Sequence, residues 1–165
     1  MELYFLRHGI AIQHGTVPYP NDDRPLTEDG VQKMKRAAEG IAKLVKSFDI
    51  ILTSPLVRAY DTARITAQAL HYKGKIERCK QLLPGADFKE VVSLLETHRG
   101  SGSLLLVGHE PNMSKTVSAF LGSQHTLIEF KKGGLCKIRL TGAPALRAGV
   151  LLYHLTPKQL RVIAR

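Results

Sequence analysis

Hydrophobic residues in this chain occur in two spacings that alternate as far as about residue 122. The stretches at 3–6, 49–53 and 103–107 are short runs dominated by apolar residues, which is typical of strands buried on both faces. Each run is followed by a segment in which apolar residues recur every three or four positions, the spacing of one helix face. The pattern therefore predicts repeating strand-helix units.

Capping and turn residues set the predicted bounds of these units. Thr27 is a favourable N-cap for the first helix, and Pro111 and Gly122 begin and end the fourth. The remaining predicted elements are a second helix over 59–70, a third strand over 75–83, a third helix over 88–95, and strands at 135–140 and 150–155. The proline-rich segment 15–25 is predicted to be an irregular loop.

This order of elements predicts an α/β fold, a three-layer α/β/α arrangement around a mostly parallel central sheet of about six strands. A chain of 165 residues can bury one core without disulfides or metals, so we expect a single domain over residues 1–165. In such folds ligands bind at the carboxyl ends of the strands, and the residues there are the candidates for function.

Cysteine content and hydropathy bear on the compartment. Cys79 and Cys136 are too few for a disulfide framework and have no thiolate neighbours for a metal cluster, which fits a reducing environment. The apolar run at the N-terminus is too short for a signal peptide, and no later run approaches the length of a membrane span. We expect a cytoplasmic protein without membrane contact.

Charge is distributed unevenly along the chain. The formal net charge is +10, and residues 130–165 contain eight lysines and arginines and no acidic residue. A basic surface attracts anions, although it can also serve only to keep a protein soluble. Nucleic acid is disfavoured as the partner because this segment has only Phe130 and Tyr153 for base stacking.

Two histidines and two arginines stand at or just beyond the predicted strand ends. Arg7 and His8 follow the first strand, Arg58 follows the second, and His109 follows the fourth. Parallel strands bring these positions to one edge of the sheet. Arginine matches the geometry of phosphate oxygens, and histidine supplies a nucleophile or proton carrier near neutral pH.

Other classes of site lack their signatures. No set of cysteines or carboxylates accompanies His8 or His109 to complete a zinc site. The sequence contains no dinucleotide-binding, P-loop or serine-hydrolase motif. The other histidines that we considered are interpreted as surface or core residues: His71, His98, His125 and His154.

Four motifs in order resemble the histidine phosphatase superfamily, and in particular its SixA-type phosphohistidine phosphatases. They are Leu6-Arg7-His8-Gly9, Arg24-Pro25-Leu26-Thr27 with Gly30, Ser54-Pro55 with Arg58-Ala59 and Thr62-Ala63, and Val107-Gly108-His109-Glu110-Pro111. The resemblance continues more faintly through Leu155-Thr156-Pro157-Lys158, so it covers essentially the whole chain.

The resemblance implies a role for each matched residue. His8 corresponds to the nucleophile that forms a phosphohistidine enzyme, Arg7 and Arg58 to the phosphate-binding arginines, and His109 to the second catalytic histidine. It implies no metal and no cofactor. Because His8 must be neutral to attack while His109 is more useful as a cation or donor, we expect their pKa values to be tuned in opposite directions.

One departure from the family concerns the proton donor. Relatives that hydrolyse phosphate esters carry an acid shortly after the third strand, and segment 82–87 offers no clear match; Asp22, Asp23 and Glu110 are weaker candidates. A phosphorylated imidazole has less need of an acid, since its leaving group has a pKa of about 6.5. The sequence therefore favours phosphohistidine on a protein as the substrate.

Two alternatives remain open at this stage. One is a phosphomonoesterase acting on a small phosphorylated metabolite, and the other is an inactive module that binds phosphorylated partners or nucleic acid. The preferred partner is a phosphorylated, acidic protein attracted by the basic segment 130–165. The sequence does not say whether that segment lies near the pocket.

Overall fold

The computed structural model of the protein describes residues 1–19 and 22–165. Its strands are β1 Glu2–Arg7, β2 Ile50–Thr53, β3 Ile76–Arg78, β4 Ser103–Gly108, β5 Leu135–Leu140 and β6 Gly149–Leu155. Its helices are α1 Glu28–Leu44, α2 Val57–Ala69, α3 Phe88–Glu96, α4 Asn112–Phe120 and α5 Pro157–Ile163, with a 3₁₀ turn at Lys80–Leu82. None of the helices in the described ranges is long and apolar enough to cross a membrane.

The strands form a sheet in the order β3-β2-β4-β1-β5-β6 within the described residues. β1, β2, β3 and β4 are mutually parallel, while β5 runs antiparallel to its neighbours β1 and β6. In register, Arg7 of β1 lies opposite Gly108 of β4, and Thr53 of β2 lies opposite Val107. The ends of three parallel strands therefore meet at one edge, as the predicted fold requires.

Helices cover both faces of this sheet, which confirms the predicted three-layer α/β/α arrangement. The core on one face is formed by α1, α2 and α5 with residues that include Tyr4, Met34, Ile41, Ala63 and Leu160. The core on the other face is formed by α3 and α4 with residues that include Phe5, Leu95, Leu104, Val117 and Phe120. Burial of both faces explains why the inner parallel strands β1, β2 and β4 are mostly apolar.

The third strand is shorter than the sequence pattern predicts. Instead of continuing to residue 83, β3 ends at Arg78, and the chain turns into the Lys80–Leu82 3₁₀ segment. Its last bond to β2 is donated by the Cys79 N–H to the Thr53 carbonyl at 2.8 Å. Leu82 then reaches the core from the turn rather than from a strand, so its burial does not require β structure.

Helix α5 was not among the predicted elements, although its start carries clear signals. Thr156 caps the helix and forms a reciprocal capping box with Gln159, and Pro157 occupies the first helical position. The prediction of a loop over 15–25 includes Pro20 and Asn21, which lie outside the described residues. At the base of this segment, Ala11 and Leu26 form an antiparallel bridge.

Candidate active site

The four predicted side chains are brought together at the carboxyl edge of the sheet. Arg7 is the last residue of β1, His8 follows it, His109 follows β4, and Arg58 lies in the first turn of α2. The centroids of the two imidazole rings are 5.0 Å apart. His8, Arg58 and His109 are 6%, 2% and 2% exposed, so the arrangement places a basic cluster below the surface.

His8 is held in one tautomer by its own backbone. Its Nδ1 lies 2.7 Å from the Gly9 carbonyl oxygen, and because a carbonyl can only accept, Nδ1 must donate the proton. Burial, reinforced by the neighbouring His109, lowers the pKa of His8 to about 3. The ring is therefore neutral at pH 7 and keeps an unprotonated Nε2, the form that can attack phosphorus.

His109 is oriented by a serine at the end of β2. Its Nε2 lies 2.8 Å from Ser54 Oγ, which already accepts a hydrogen bond from the Leu56 N–H. The serine O–H can donate to Nε2, and this bond is compatible with a ring proton on Nδ1, the tautomer in which Nδ1 is able to donate to a ligand. Burial and the charge of Arg58 lower the pKa of His109 to about 3. The expectation of oppositely tuned histidines is therefore wrong for the ligand-free protein, because burial disfavours a positive charge on either ring.

Each arginine makes part of its possible hydrogen bonds within the protein. Arg7 Nη1 donates to the Phe130 carbonyl at 2.6 Å, and burial lowers the pKa of this guanidinium. Arg58 Nη1 and Nη2 donate to the carbonyl and carboxylate oxygens of Asp22 at 2.6 and 3.0 Å.

Several buried nitrogens of this cluster have no protein partner. Among the described residues, Nε of Arg7, Nε of Arg58 and Nδ1 of His109 are buried and make no hydrogen bond. Buried donors are rarely left unpaired, because each costs about 1–3 kcal/mol. Donors of this kind within a cationic cluster point to an anionic ligand.

Two residues that carried no predicted role fix the backbone around His8. Thr62, one turn beyond Arg58 in α2, donates to the Arg58 carbonyl at 2.7 Å and accepts from the Gly9 N–H at 3.0 Å. Gly133 adopts a φ of 81° and its N–H lies 3.1 Å from the carbonyls of both Arg7 and His8. The Thr62 side chain is fully buried in a helix, but no sequence spacing shows that it faces Gly9.

The candidate proton donors are largely engaged elsewhere. Glu110 accepts hydrogen bonds from the Ser114 N–H and Oγ at the start of α4, and Asp87 of segment 82–87 caps α3 through the Glu90 N–H. Asp22 pairs with Arg58 and Arg24. Burial raises the pKa of its carboxyl, but the two guanidinium groups together lower it by more, so the net shift of the pKa is downward. Asp23 is exposed. An acid with a lowered pKa is a poor proton donor at neutral pH.

The sequence model for the histidine phosphatase superfamily (branch 1) matches residues 3–82, and the chain belongs to this superfamily. It is 36% identical to an uncharacterized protein of Picosynechococcus sp. over 90% of both chains. It is 26% identical to phosphohistidine phosphatase SixA of Escherichia coli over 67% of this chain and 68% of that one. The structure of a SixA protein complexed with tungstate superposes with a TM-score of 0.82 at 24% identity, covering 97% of this chain and 99% of the other.

Proposed function

We propose that this protein is a metal-independent phosphohistidine phosphatase that uses His8 as its nucleophile. The observation that carries the proposal is the neutral His8 ring, whose Nε2 is left free by the Nδ1 bond to Gly9 and which lies beside unpaired donors of Arg7, Arg58 and His109. An anion held by those donors would present its phosphorus to Nε2. Such preorganised cationic groups stabilise the charge of a phosphoryl transition state.

The reaction proceeds in two displacements. In the first, the substrate ring carries a proton from solvent on its other nitrogen, Nε2 of His8 forms a bond to phosphorus, and the N–P bond of the substrate breaks to release a neutral imidazole. In the second, water attacks the phosphorus, the His8–P bond breaks, and inorganic phosphate leaves with the oxygen of that water. Arg7, Arg58 and His109 Nδ1 bind the phosphoryl oxygens in both steps.

The candidate carboxylates other than the exposed Asp23 make contacts that oppose a role as proton donors, which favours a nitrogen–phosphorus bond as the bond that is cleaved. Asp22 is ion-paired, and Glu110 and Asp87 serve the starts of α4 and α3. An ester would leave as an alkoxide, for which a proton donor matters greatly, whereas imidazole is a far better leaving group. We propose a phosphorylated protein of the reducing cytoplasm as the substrate, a setting that suits two free, buried cysteines.

Trapping the covalent intermediate tests the nucleophile. Incubation of the wild-type protein with ³²P-phosphoramidate should leave a protein label that is stable to base and lost in acid, as expected for phosphohistidine. His8→Ala should abolish the label, because no other neutral imidazole of the pocket has its Nε2 free. The matched control is His98→Ala, which removes a half-exposed histidine at the end of α3 and should label normally. A label retained in His8→Ala would refute the mechanism.

A second experiment tests the substrate class. Values of kcat/KM should be compared for a phosphohistidine peptide and for a panel of phosphate monoesters that includes sugar phosphates, nucleotides and phosphoserine. We expect the phosphohistidine peptide to exceed every ester by at least about 100-fold, the size of effect attached to a missing general acid. An ester turned over as well as the peptide would establish the phosphomonoesterase alternative, and labelling without turnover would indicate a binding module.

A further inference from the structure

We propose that a basic groove between α1 and α5 docks an acidic segment of the phosphorylated protein substrate. This inference rests on the proposed function, which it extends by assigning a surface to the partner. We call the surface the α1–α5 groove and define it by the basic side chains that line it: Lys33, Arg36, Lys132, Lys158, Arg161 and Arg165.

The groove consists of two adjoining depressions. One, of about 390 Å³, lies between Arg36 of α1 and Lys158 of α5, and the other, of about 170 Å³, extends from there to Gly133. Lys33 and Arg161 line both depressions, so the two form a continuous surface. Four of the eight basic side chains of segment 130–165 line the groove. Lys33 and Arg36 of α1, which lie about 100 residues earlier in the chain, line it with them.

The positive charge of the groove is largely uncompensated. No aspartate or glutamate side chain lines either depression among residues 1–19 and 22–165. Within that same part of the chain, Lys33 is the one member of the group that forms an ion pair, with Asp29 at 2.7 Å, and this pair is exposed on both sides. The other five cations of the groove have no ion-pair partner in the described part of the chain, so the groove presents a net positive charge to solvent.

The inner end of the groove meets the segment that follows His8 and the turn that precedes β5. The smaller depression is lined by Gly9 and Gly133, and the Gly133 N–H is the donor to the carbonyls of Arg7 and His8. A polypeptide lying in the groove would therefore run toward the pocket that holds His8. An extended chain advances about 3.3 Å per residue, so an acidic run within ten residues of the phosphohistidine lies within about 33 Å of it.

The walls of the groove are fixed by close packing. A Cβ atom added at Gly40 of α1 would lie 2.0 Å from the Leu160 carbonyl oxygen of α5, so the two helix backbones are in direct contact. Leu160 is fully buried between them. A preformed surface binds its ligand at a lower entropic cost than one that must be ordered on binding.

An acidic polypeptide fits this groove better than a nucleic acid does. Both are polyanions, but the side chains that line the groove include no aromatic residue in the described part of the chain, and single-stranded nucleic acids rely on aromatic stacking. Complementary charge accelerates association and discriminates among partners. The occupant we infer is therefore a run of glutamates or aspartates near the phosphohistidine.

The test compares two 16-residue peptides that each carry one phosphohistidine, flanked in one by glutamates and in the other by glutamines. With the full-length protein we expect kcat/KM to be about tenfold higher for the glutamate peptide at low salt. The advantage should vanish near 1 M salt, where the Debye length is about 3 Å. Arg36→Glu/Lys158→Glu should remove the advantage and leave the glutamine peptide within about twofold of wild type.

A matched variant separates the groove from overall charge. Lys75→Glu/Lys89→Glu changes the net charge equally at two exposed lysines outside the groove and should retain the preference for glutamates. If the preference survived in Arg36→Glu/Lys158→Glu, or fell equally in the control variant, the groove would not be the docking site. Thermal unfolding of each variant checks that the fold is intact.

Binding measured without turnover distinguishes a failure of this inference from a failure of the proposed function. Anisotropy of the labelled, unphosphorylated glutamate peptide should show binding that Arg36→Glu/Lys158→Glu abolishes. Binding without hydrolysis of phosphohistidine would refute the activity and support the groove, whereas hydrolysis without a preference for glutamates would do the reverse. Tighter binding of a single-stranded oligonucleotide of equal charge would overturn the choice of a protein partner.

Discussion

At the residue scale, the pocket combines permanent cations with neutral imidazoles. Arginine is cationic in proteins at any ordinary pH, while burial lowers the pKa of both histidines to about 3. A third positive charge in this cluster would be repelled by the two guanidinium groups. Under the proposed function, the charge of a bound phosphoryl group would raise the pKa of His109 and strengthen a hydrogen bond from its Nδ1.

If Arg58 binds the phosphoryl group as proposed, Asp22 competes with that group for its guanidinium. Its carboxylate lies 3.0 Å from Arg58 Nη2, a position that a phosphoryl oxygen would share or replace. Asp22→Asn keeps the size of the side chain and removes the competing charge. We therefore expect the inhibition constant of tungstate to fall about three- to tenfold, which at about 1.4 kcal/mol per factor of ten is a gain of up to about 1.4 kcal/mol in binding free energy. Inhibition constants measured against phosphohistidine turnover check this.

The same variant also examines Asp22 as a proton donor. Because the pKa of this carboxyl is lowered, we expect phosphohistidine turnover by Asp22→Asn to remain within a few-fold of wild type. Asp23→Asn, at the exposed neighbouring position, is the control and should change neither inhibition nor turnover. A loss of kcat by two orders of magnitude in Asp22→Asn alone would instead identify the general acid.

At the scale of elements, α1 is positioned by two glycines at which the backbone of another segment touches the helix. A Cβ atom would lie 2.0 Å from the Ile10 carbonyl at Gly30 and 2.0 Å from the Leu160 carbonyl at Gly40. The first contact ties the helix to the segment after His8, and the second ties it to α5. Neither position has a backbone φ that favours glycine. Glycine is needed at each because a carbonyl oxygen of another segment occupies the space of a Cβ atom.

Gly40→Ala should therefore destabilise the fold despite the better helix propensity of alanine. Forced displacement of packed backbone costs about 1–3 kcal/mol, which exceeds or matches the gain of about 1 kcal/mol from propensity. Urea denaturation should show a lower free energy of unfolding. Gly85→Ala, where an added Cβ meets no atom within 4 Å, should be close to neutral, and equal stability of the two variants would show that α1 and α5 can separate at no cost.

At the scale of the whole molecule, the buried histidines couple folding to pH. Each has a pKa near 3 when folded, against an ordinary value of 6.5 that the unfolded chain regains. Between these values the unfolded state binds more protons, so stability rises with pH across this window and is lost as pH falls from 6.5 toward 3. His8→Asn/His109→Asn should flatten the dependence between pH 6.5 and 4.5.

Urea midpoints measured from pH 8 to 4.5 check this expectation. The upper part of the window separates the histidines from the carboxylates, whose ordinary pKa values lie near 4. The control is His98→Asn, which removes a half-exposed histidine for which the dependence should stay as in wild type. An equally steep loss of stability in the double variant would show that the two rings are not the groups responsible.

Most helices and strands could be predicted from the sequence, because apolar runs, helix caps and turn residues are signals carried by a few neighbouring residues. Strands β1, β4 and β5 lie within a residue of their predicted bounds, and Thr27 caps α1 through the Gly30 N–H as expected. The third strand was predicted too long because apolar residues such as Leu82 can be buried from a turn as well as from a strand. Helix α5 carries a capping box that the pattern of apolar residues alone does not show.

By itself, the sequence determined the α/β class and the mostly parallel sheet through the alternation of elements, and its motifs indicated the superfamily and the four side chains at the strand ends. The order of the strands in the sheet came only from the tertiary structure. Tertiary structure alone decided what surrounds those side chains. The Ser54–His109 bond, the contact of Thr62 with Gly9 and the junction of α1 with α5 each join residues more than 50 positions apart. The pKa values of the histidines and the field of the basic groove depend on such distances and on burial, which the order of residues does not contain.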